Sequence, residues 1–317
     1  MMMKENENLD FAWSIYWSQD RLHSCVASGA DSDQQVLEMH WRDFAKSLNQ
    51  GDRVLDLATG NGAVPSALLA ARPELEIHAA DKAEIDPIKF LSDGESLKAV
   101  KFYSQTDIYD LPFDSESFCA LTSQFGIEYA GLAKAGVAVM SLLKSGGRFQ
   151  FIVHNKHSDI ILSSGKKSQE LEQLLKPEGL LDTLMKVMRG ELEFSALEAV
   201  GEKYLAKDDI KTQALSGQVF AGIDQVGQKL IDDAKGAVDL ALAIDLRVRS
   251  EYQRLQEMAD AAQDSSSMDS LVETLAALNV RVDTLKPIYV DTDKQEYLLG
   301  WLINGVKESE SGTQPAG

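Results

Sequence analysis

Between Gly51 and Val153 short apolar runs alternate with helical or turn-rich segments, and this alternation constrains the chain more than any other feature it has. Such runs read as strands buried on both faces, and strands of that kind lie parallel, each returning to its neighbour through a crossover that is usually a helix. The runs are Arg53 to Leu57, Glu76 to Ala80, Val100 to Ser104, Phe118 to Ser123 and Arg148 to Val153. Five of them in order predict a doubly wound α/β sheet. Pro65 suits the opening of one crossover helix, a second falls near Pro87 to Leu91, and a third runs from about Leu132 to Leu143 and stops at Ser145-Gly146-Gly147. Ahead of the first strand, Leu37, Trp41, Phe44 and Leu48 recur at spacings of three and four and predict a packed helix over Val36 to Leu48.

After Val153 the alternation stops. Leu171, Leu174 and Leu175, then Leu181, Leu184, Met185 and Met188, and later Val238, Leu242, Leu246 and Tyr252 recur at helical spacing, which predicts an inserted helical unit. A short helix, Ser267 to Leu278, leads into strand patterns at Val280 to Asp283, Ile288 to Val290 and Glu296 to Ile303. The expected organisation is an α/β core with N-terminal lid helices over 1–155, a helical insertion over 156–265, the last helix and terminal strands of the core over 266–307, and a polar tail over 308–317.

With 31 Lys and Arg against 50 Asp and Glu, the formal charge is −19, and no basic run interrupts it, so nucleic acid is excluded as the expected partner. The insertion carries 14 basic and 20 acidic residues and hides no basic arm. No stretch approaches the roughly 18 apolar residues of a membrane span, and the opening MMMKENENL lacks the apolar centre of a signal peptide, so the expected location is the cytoplasm. Cys25 and Cys119 have no CxxC partner and read as buried thiols. No metal site is expected.

The sharpest motif is Val54-Leu55-Asp56-Leu57-Ala58-Thr59-Gly60-Asn61-Gly62, a buried strand running into a glycine loop that opens a helix. Glycines there let the backbone approach a ligand closely, and the N–H groups of the loop suit a carboxylate or phosphate. Position 65 is Pro65, so the third glycine of a dinucleotide fingerprint is missing and nicotinamide binding is disfavoured. Asp81, after the second strand, stands where a nucleotide site places an acid on ribose hydroxyls, or else caps the next helix. Asp107, after the third, either accepts from an exocyclic amine or closes an Asx turn before Leu111-Pro112-Phe113.

VLDLATGNG, the acid after the second strand, TDIYDLPFDSESF and LLKSGGRFQFIV, in that order, resemble the motifs of class I S-adenosylmethionine-dependent methyltransferases over about Gly51 to Val153. The resemblance implies a seven-stranded Rossmann-like sheet whose last two strands form an antiparallel pair, with the large helical insertion between strands five and six. It implies S-adenosyl-L-methionine as cofactor, held by Asp56, Ala58, Thr59, Gly60 and Gly62 at its methionine part, Asp81 at the ribose, Asp107 and Ile108 near the adenine, and Gln124 with Phe125 bordering the methyl group. Ala58 departs from the glycine common in the family. SQFGIEY also resembles the corresponding segment of quinone-biosynthesis C-methyltransferases, which makes a quinone-type or other aromatic acceptor the alternative to an unspecified small molecule.

Methyl transfer asks mainly for alignment, and a base is needed only if the acceptor must lose a proton. The carboxyl ends of strands four and five offer His154 and His157 as candidate bases and Phe125, Glu128 and Tyr129 as candidate pocket residues. Trp13, Tyr16 and Trp17 share one helical face and predict a lid over cofactor and acceptor. The insertion emerges after strand five and is expected to cap the acceptor pocket or to serve as a partner platform, including a homodimer contact. A binding protein without turnover, using the same loop and acids, is the remaining alternative class.

Overall fold

The computed structural model describes residues 9–24, 31–206, 214–293 and 295–309. Cys25 and the tail from residue 310 lie outside them.

Seven strands form one sheet in the order β3-β2-β1-β4-β5-β7-β6. β1 (Arg53–Leu57), β2 (Glu76–Ala80), β3 (Lys101–Tyr103), β4 (Phe118–Gln124) and β5 (Leu143–Val153) run parallel, and β7 (Glu296–Lys307) lies antiparallel between β5 and β6 (Val280–Asp291). Beyond their first residues, Arg53 and Glu76, the first two strands are buried through to their carboxyl ends. α1 (Leu9–Trp17) and α2 (Asp31–Lys46) precede β1, and α3 (Ala63–Ala71), α4 (Pro87–Phe90) and α5 (Leu132–Met140) fill the crossovers. β1 hydrogen-bonds to β2 on one side and β4 on the other, so the chain winds away in both directions from the β1–β4 pair. A crevice opens at the carboxyl ends of two such strands, the usual ligand position in this architecture.

Three sequence expectations need correction. Ser145-Gly146-Gly147 does not stop a helix, because α5 already ends at Met140. It lies inside β5, where Cys119 of β4 faces Lys144 to Gly147, a wide bulge eased by the left-handed Gly146 at φ 77°. β6 runs unbroken through Pro287, which an edge strand tolerates because that side needs no ladder N–H. Cys119 is only half-buried, with the Lys144 ammonium 3.7 Å from its sulfur.

The core is built on both faces of the sheet. Leu57, Leu121, Phe149 and Phe151 pack with Val139 and Met140 of α5 and with Met268, Leu271 and Leu275 of α11 (Ser265–Ala276). α2 buries Leu37, Trp41 and Phe44, the stripe its spacing predicts. The chain divides into this α/β unit, residues 1–162 with 258–317, and a helical unit of residues 163–257. Taken alone, the helical unit contains most of α6 (Asp159–Leu175), α7 (Leu180–Met188), α8 (Phe194–Leu205), α9 (Ala214–Asp232) and most of α10 (Ala234–Ala261), with Leu171, Leu174, Leu184, Leu197 and Val226 buried. The Glu170 carboxylate accepts the Ser216 N–H in the first turn of α9. Among the described residues no helix is long and apolar enough to cross a membrane.

Gly305 of β7 shows how tightly the antiparallel end is packed: a Cβ there would lie 2.0 Å from the Arg281 carbonyl and 2.9 Å from the Phe149 ring. Gly305→Ala should therefore cost about 1 to 3 kcal/mol, the range for overpacking, read as a lowered urea midpoint with unchanged slope.

Candidate active site

β1 leads into a loop in which Ala58 (φ 51°), Gly60 (φ 54°) and Gly62 (φ 85°) are all left-handed before α3 begins. Glycine adopts this conformation at no steric cost, whereas Ala58 strains to hold it. What admits its methyl group is Gly126, after β4, where a Cβ would lie 2.6 Å from that of Ala58. The departure from glycine at 58 is thus met by a glycine in the facing loop.

Asp56 is buried within β1. Thr122 on β4 donates to its Oδ1 at 2.7 Å, while Oδ2 has no hydrogen-bond partner among the described residues. Burial drives the carboxyl up to about 7; the hydroxyls of Thr59 and Thr122 oppose the shift and the charge of Asp81 adds to it. Thr59 is buried beside it without closing a hydrogen bond of its own. Asp81, also buried, accepts from the Gly60 N–H at 2.7 Å and from the Ala83 N–H at 2.8 Å, which pins the glycine loop to the end of β2. Asp107 is half-buried, closes an Asx turn on the Tyr109 N–H at 3.0 Å and pairs with Lys82 at 3.5 Å. Ile108 packs half-buried against the core.

At the end of β4, Gln124 accepts from the Trp41 indole at 2.6 Å, so its amide braces α2. Phe125 is left-handed at φ 51° and buried, a conformation costly for an aromatic residue and one that clusters at functional sites. Its ring lies 4.5 Å from that of His154, centroid to centroid. The turn Ile127–Ala130 carries Glu128, whose Oε1 accepts from both the His154 backbone N–H at 2.8 Å and Nδ1 at 2.7 Å. Both side chains are 0% exposed, and Glu128 Oε2 has no hydrogen-bond partner among the described residues. Tyr129 makes edge contacts with His154 at 5.9 Å and with Trp13 at 5.3 Å. His157 stands apart, exposed, its backbone N–H bonded to Asn155. No group of three or more His, Cys, Asp or Glu placed to hold a metal occurs among the described residues.

The aromatic helix closes over both regions. Trp13, Tyr16 and Trp17 touch one another, and Trp17 is buried against Ala83 and Ile85. A Cβ on Gly60 would lie 2.3 Å from the Trp17 ring, so the indole rests on bare glycine backbone. Four further residues, to which the sequence motifs assign no role, fix the geometry. Asn61 donates to the carbonyls of Trp17 and Arg21 at 2.9 and 2.8 Å, Ser14 accepts the Glu84 N–H at 2.9 Å, Asp20 accepts the Ser92 N–H at 2.9 Å, and Ser123 bridges Leu57 to Ile127. The position of Asn61 between the two glycines was the one available hint.

No family model matches the chain. Among curated proteins it is 37% identical over 103 residues to the demethylmenaquinone methyltransferase of Clavibacter sepedonicus, a stretch covering 31% of this chain and 39% of that protein. The chain thus spans about two-fifths of the length of the curated relative it matches. Similar solved structures include the 1,6-didemethyltoxoflavin-N1-methyltransferase of Burkholderia thailandensis (11% identical, TM-score 0.46, covering 98% of this chain and 92% of that one). A candidate S-adenosyl-L-methionine-dependent methyltransferase of Methanococcus maripaludis is another (11% identical, TM-score 0.47, 98% and 99%). The strand order, with its antiparallel seventh strand and a glycine loop after β1 beside the winding reversal, is the arrangement implied by the four ordered motifs. The chain has a class I methyltransferase fold.

In this methyltransferase fold the strand-one acid is the group most strained by its surroundings. The native state keeps a proton on Asp56 up to about pH 7, whereas the unfolded chain releases it near 3.8. Its contribution to stability is therefore fullest below pH 4 and declines as pH rises to 7, by up to about 4 kcal/mol for a shift of this size. Asp56→Asn should flatten that part of the stability profile, measured by urea unfolding at pH 4.5 and 7.5.

Proposed function

We propose that the chain is a methyltransferase that binds S-adenosyl-L-methionine at the β1–β4 crevice and methylates a small molecule. The observation that carries the reading is the pairing of a left-handed glycine loop with a buried Asp56 oxygen that has no hydrogen-bond partner among the described residues. An unpaired buried carboxylate oxygen is costly and calls for an outside donor, and the ammonium of an amino acid is one that also suits its charge. Gly60, Gly62 and Thr59 line the same loop, Asp81 holds that loop at the end of β2 where a ribose would lie, and Asp107 and Ile108 follow β3 toward the adenine position. When bound, S-adenosyl-L-methionine supplies an electrophilic methyl group. The chain's own part is to align the acceptor and exclude water, which the aromatic set Trp13, Tyr16, Trp17, Phe125 and Tyr129 is placed to do. His154 serves as base in this reading and His157 does not. The name of the Clavibacter sepedonicus relative, together with this lining, favours a hydroxylated aromatic acceptor of quinol type.

S-adenosylhomocysteine should raise the unfolding temperature, by the equivalent of about 2.7 kcal/mol at one hundred times its Kd. Asp81→Asn is the informative variant, since alanine would also strand the Gly60 and Ala83 N–H groups; a weakening of about 1 to 3 kcal/mol in calorimetry is expected. Unchanged affinity would remove Asp81 from the site, and equal binding of NAD would remove the methyltransferase reading.

Because the Trp17 ring rests on Gly60, ring and cofactor compete for the same backbone surface. Trp17→Ala should bind S-adenosylhomocysteine more tightly than the parent chain, and the parent's tryptophan fluorescence should change on binding. Weaker binding by the variant would instead make the indole part of the cofactor's own contact surface.

A further inference from the structure

The Glu128–His154 pair has a geometry that burial alone does not explain. A single carboxylate oxygen holds both the backbone N–H and the ring Nδ1 of His154, at 2.8 and 2.7 Å, with both side chains fully buried. The cost of burying a carboxylate is large, and its second oxygen makes no hydrogen bond to the described protein. A simple brace for the loop after β5 would need neither the charge nor the imidazole. The double bond does fix two things: which way the ring faces and which nitrogen carries the proton. With Nδ1–H donated to the carboxylate, the neutral ring keeps its basic lone pair on Nε2. The surroundings are flat and apolar, with the rings of Phe125 and Tyr129 against His154 and Trp13 against Tyr129.

We infer that Glu128 is a positioning residue that makes His154 Nε2 the proton acceptor for a hydroxyl-bearing aromatic ring, the methyl acceptor of this site. The inference rests on the methyltransferase reading and specifies its acceptor. The acceptor's O–H bond breaks, its proton goes to Nε2 and its electron pair stays on the ring as a phenolate. The methyl carbon then bonds to that oxygen, or to the adjacent ring carbon whose hydrogen afterwards returns to the oxygen, while the carbon–sulfur bond breaks and its electron pair remains on sulfur. Glu128 stabilises the imidazolium so formed. Glu128 and Tyr129, both from the turn Ile127–Ala130, are titratable groups that face His154; Lys156 and His157, in its own loop, are exposed.

The test uses the full chain saturated with S-adenosylhomocysteine and imidazole nitrogen NMR across pH. Neutral His154 should show a protonated Nδ1 and a bare, pyridine-type Nε2, and its imidazolium should lose its proton about one pH unit or more lower in Glu128→Gln, because the neighbouring negative charge is gone. With S-adenosylmethionine and 1,4-dihydroxynaphthalene as probe acceptor, Glu128→Gln should lower kcat by about a hundredfold with KM little changed, and the rising limb of the kcat–pH profile should move to lower pH. A merely structural Glu128 would leave that limb in place, which overturns the inference. So would an Nε2–H tautomer in the parent chain, a measurement that decides the matter even if Glu128→Gln fails to fold. Absence of turnover of the probe by a parent chain that binds S-adenosylhomocysteine rejects the acceptor class, whereas absence of that binding rejects the methyltransferase reading itself.

Discussion

Crowding between the loops that leave β1 and β4 is the constraint on which the rest of the site depends. These strands are neighbours, their connections depart in opposite directions, and the two backbones meet where Ala58 faces Gly126. Three left-handed residues on one side and Phe125 on the other are what it takes to turn both chains away within a few residues. Everything chemical in the site hangs from those turns: Asp56 just before one, Glu128 just after the other, and Asp81 reaching across from β2 to hold the first loop down. Such strain is retained only where neighbouring contacts over-determine the backbone, and here the Ser123 hydroxyl, bonded to Leu57 and Ile127, ties the two turns to each other.

The sheet was legible where strands are buried on both faces. Arg53 to Leu57 and Glu76 to Ala80 read from their apolar residues, because a strand covered on both sides carries them on both faces, and the charged Arg53 and Glu76 mark where the cover begins. β5 and β6 were harder. Gly146 is a helix terminator by local rules and a strand bulge by tertiary pairing, and Pro287 breaks an interior strand but not an edge one. Local propensity carries no record of which side of a strand will be left unpaired.

Within the site, the acids and the glycine loop were visible because their spacing along the chain is itself the motif. The conformation of Ala58, the indole of Trp17 on Gly60, and the bond from Glu128 to His154 were not, since each joins residues from separate elements with no periodic relation. Gln124 adds a contact that no motif encodes: its amide oxygen accepts from the Trp41 indole, a bond set by where α2 packs.

The aromatic helix is fastened largely through main-chain atoms. Asn61 holds the carbonyls of Trp17 and Arg21, and the short side chains of Ser14 and Asp20 hold backbone N–H groups of the core. None of those fastenings involves an indole or a phenol, so the rings facing the crevice are free to vary while the helix keeps its seat. Exchange of Trp13 or Tyr16 therefore alters the apolar surface beside Tyr129 and Trp17 while the main-chain fastenings of the helix stay in place.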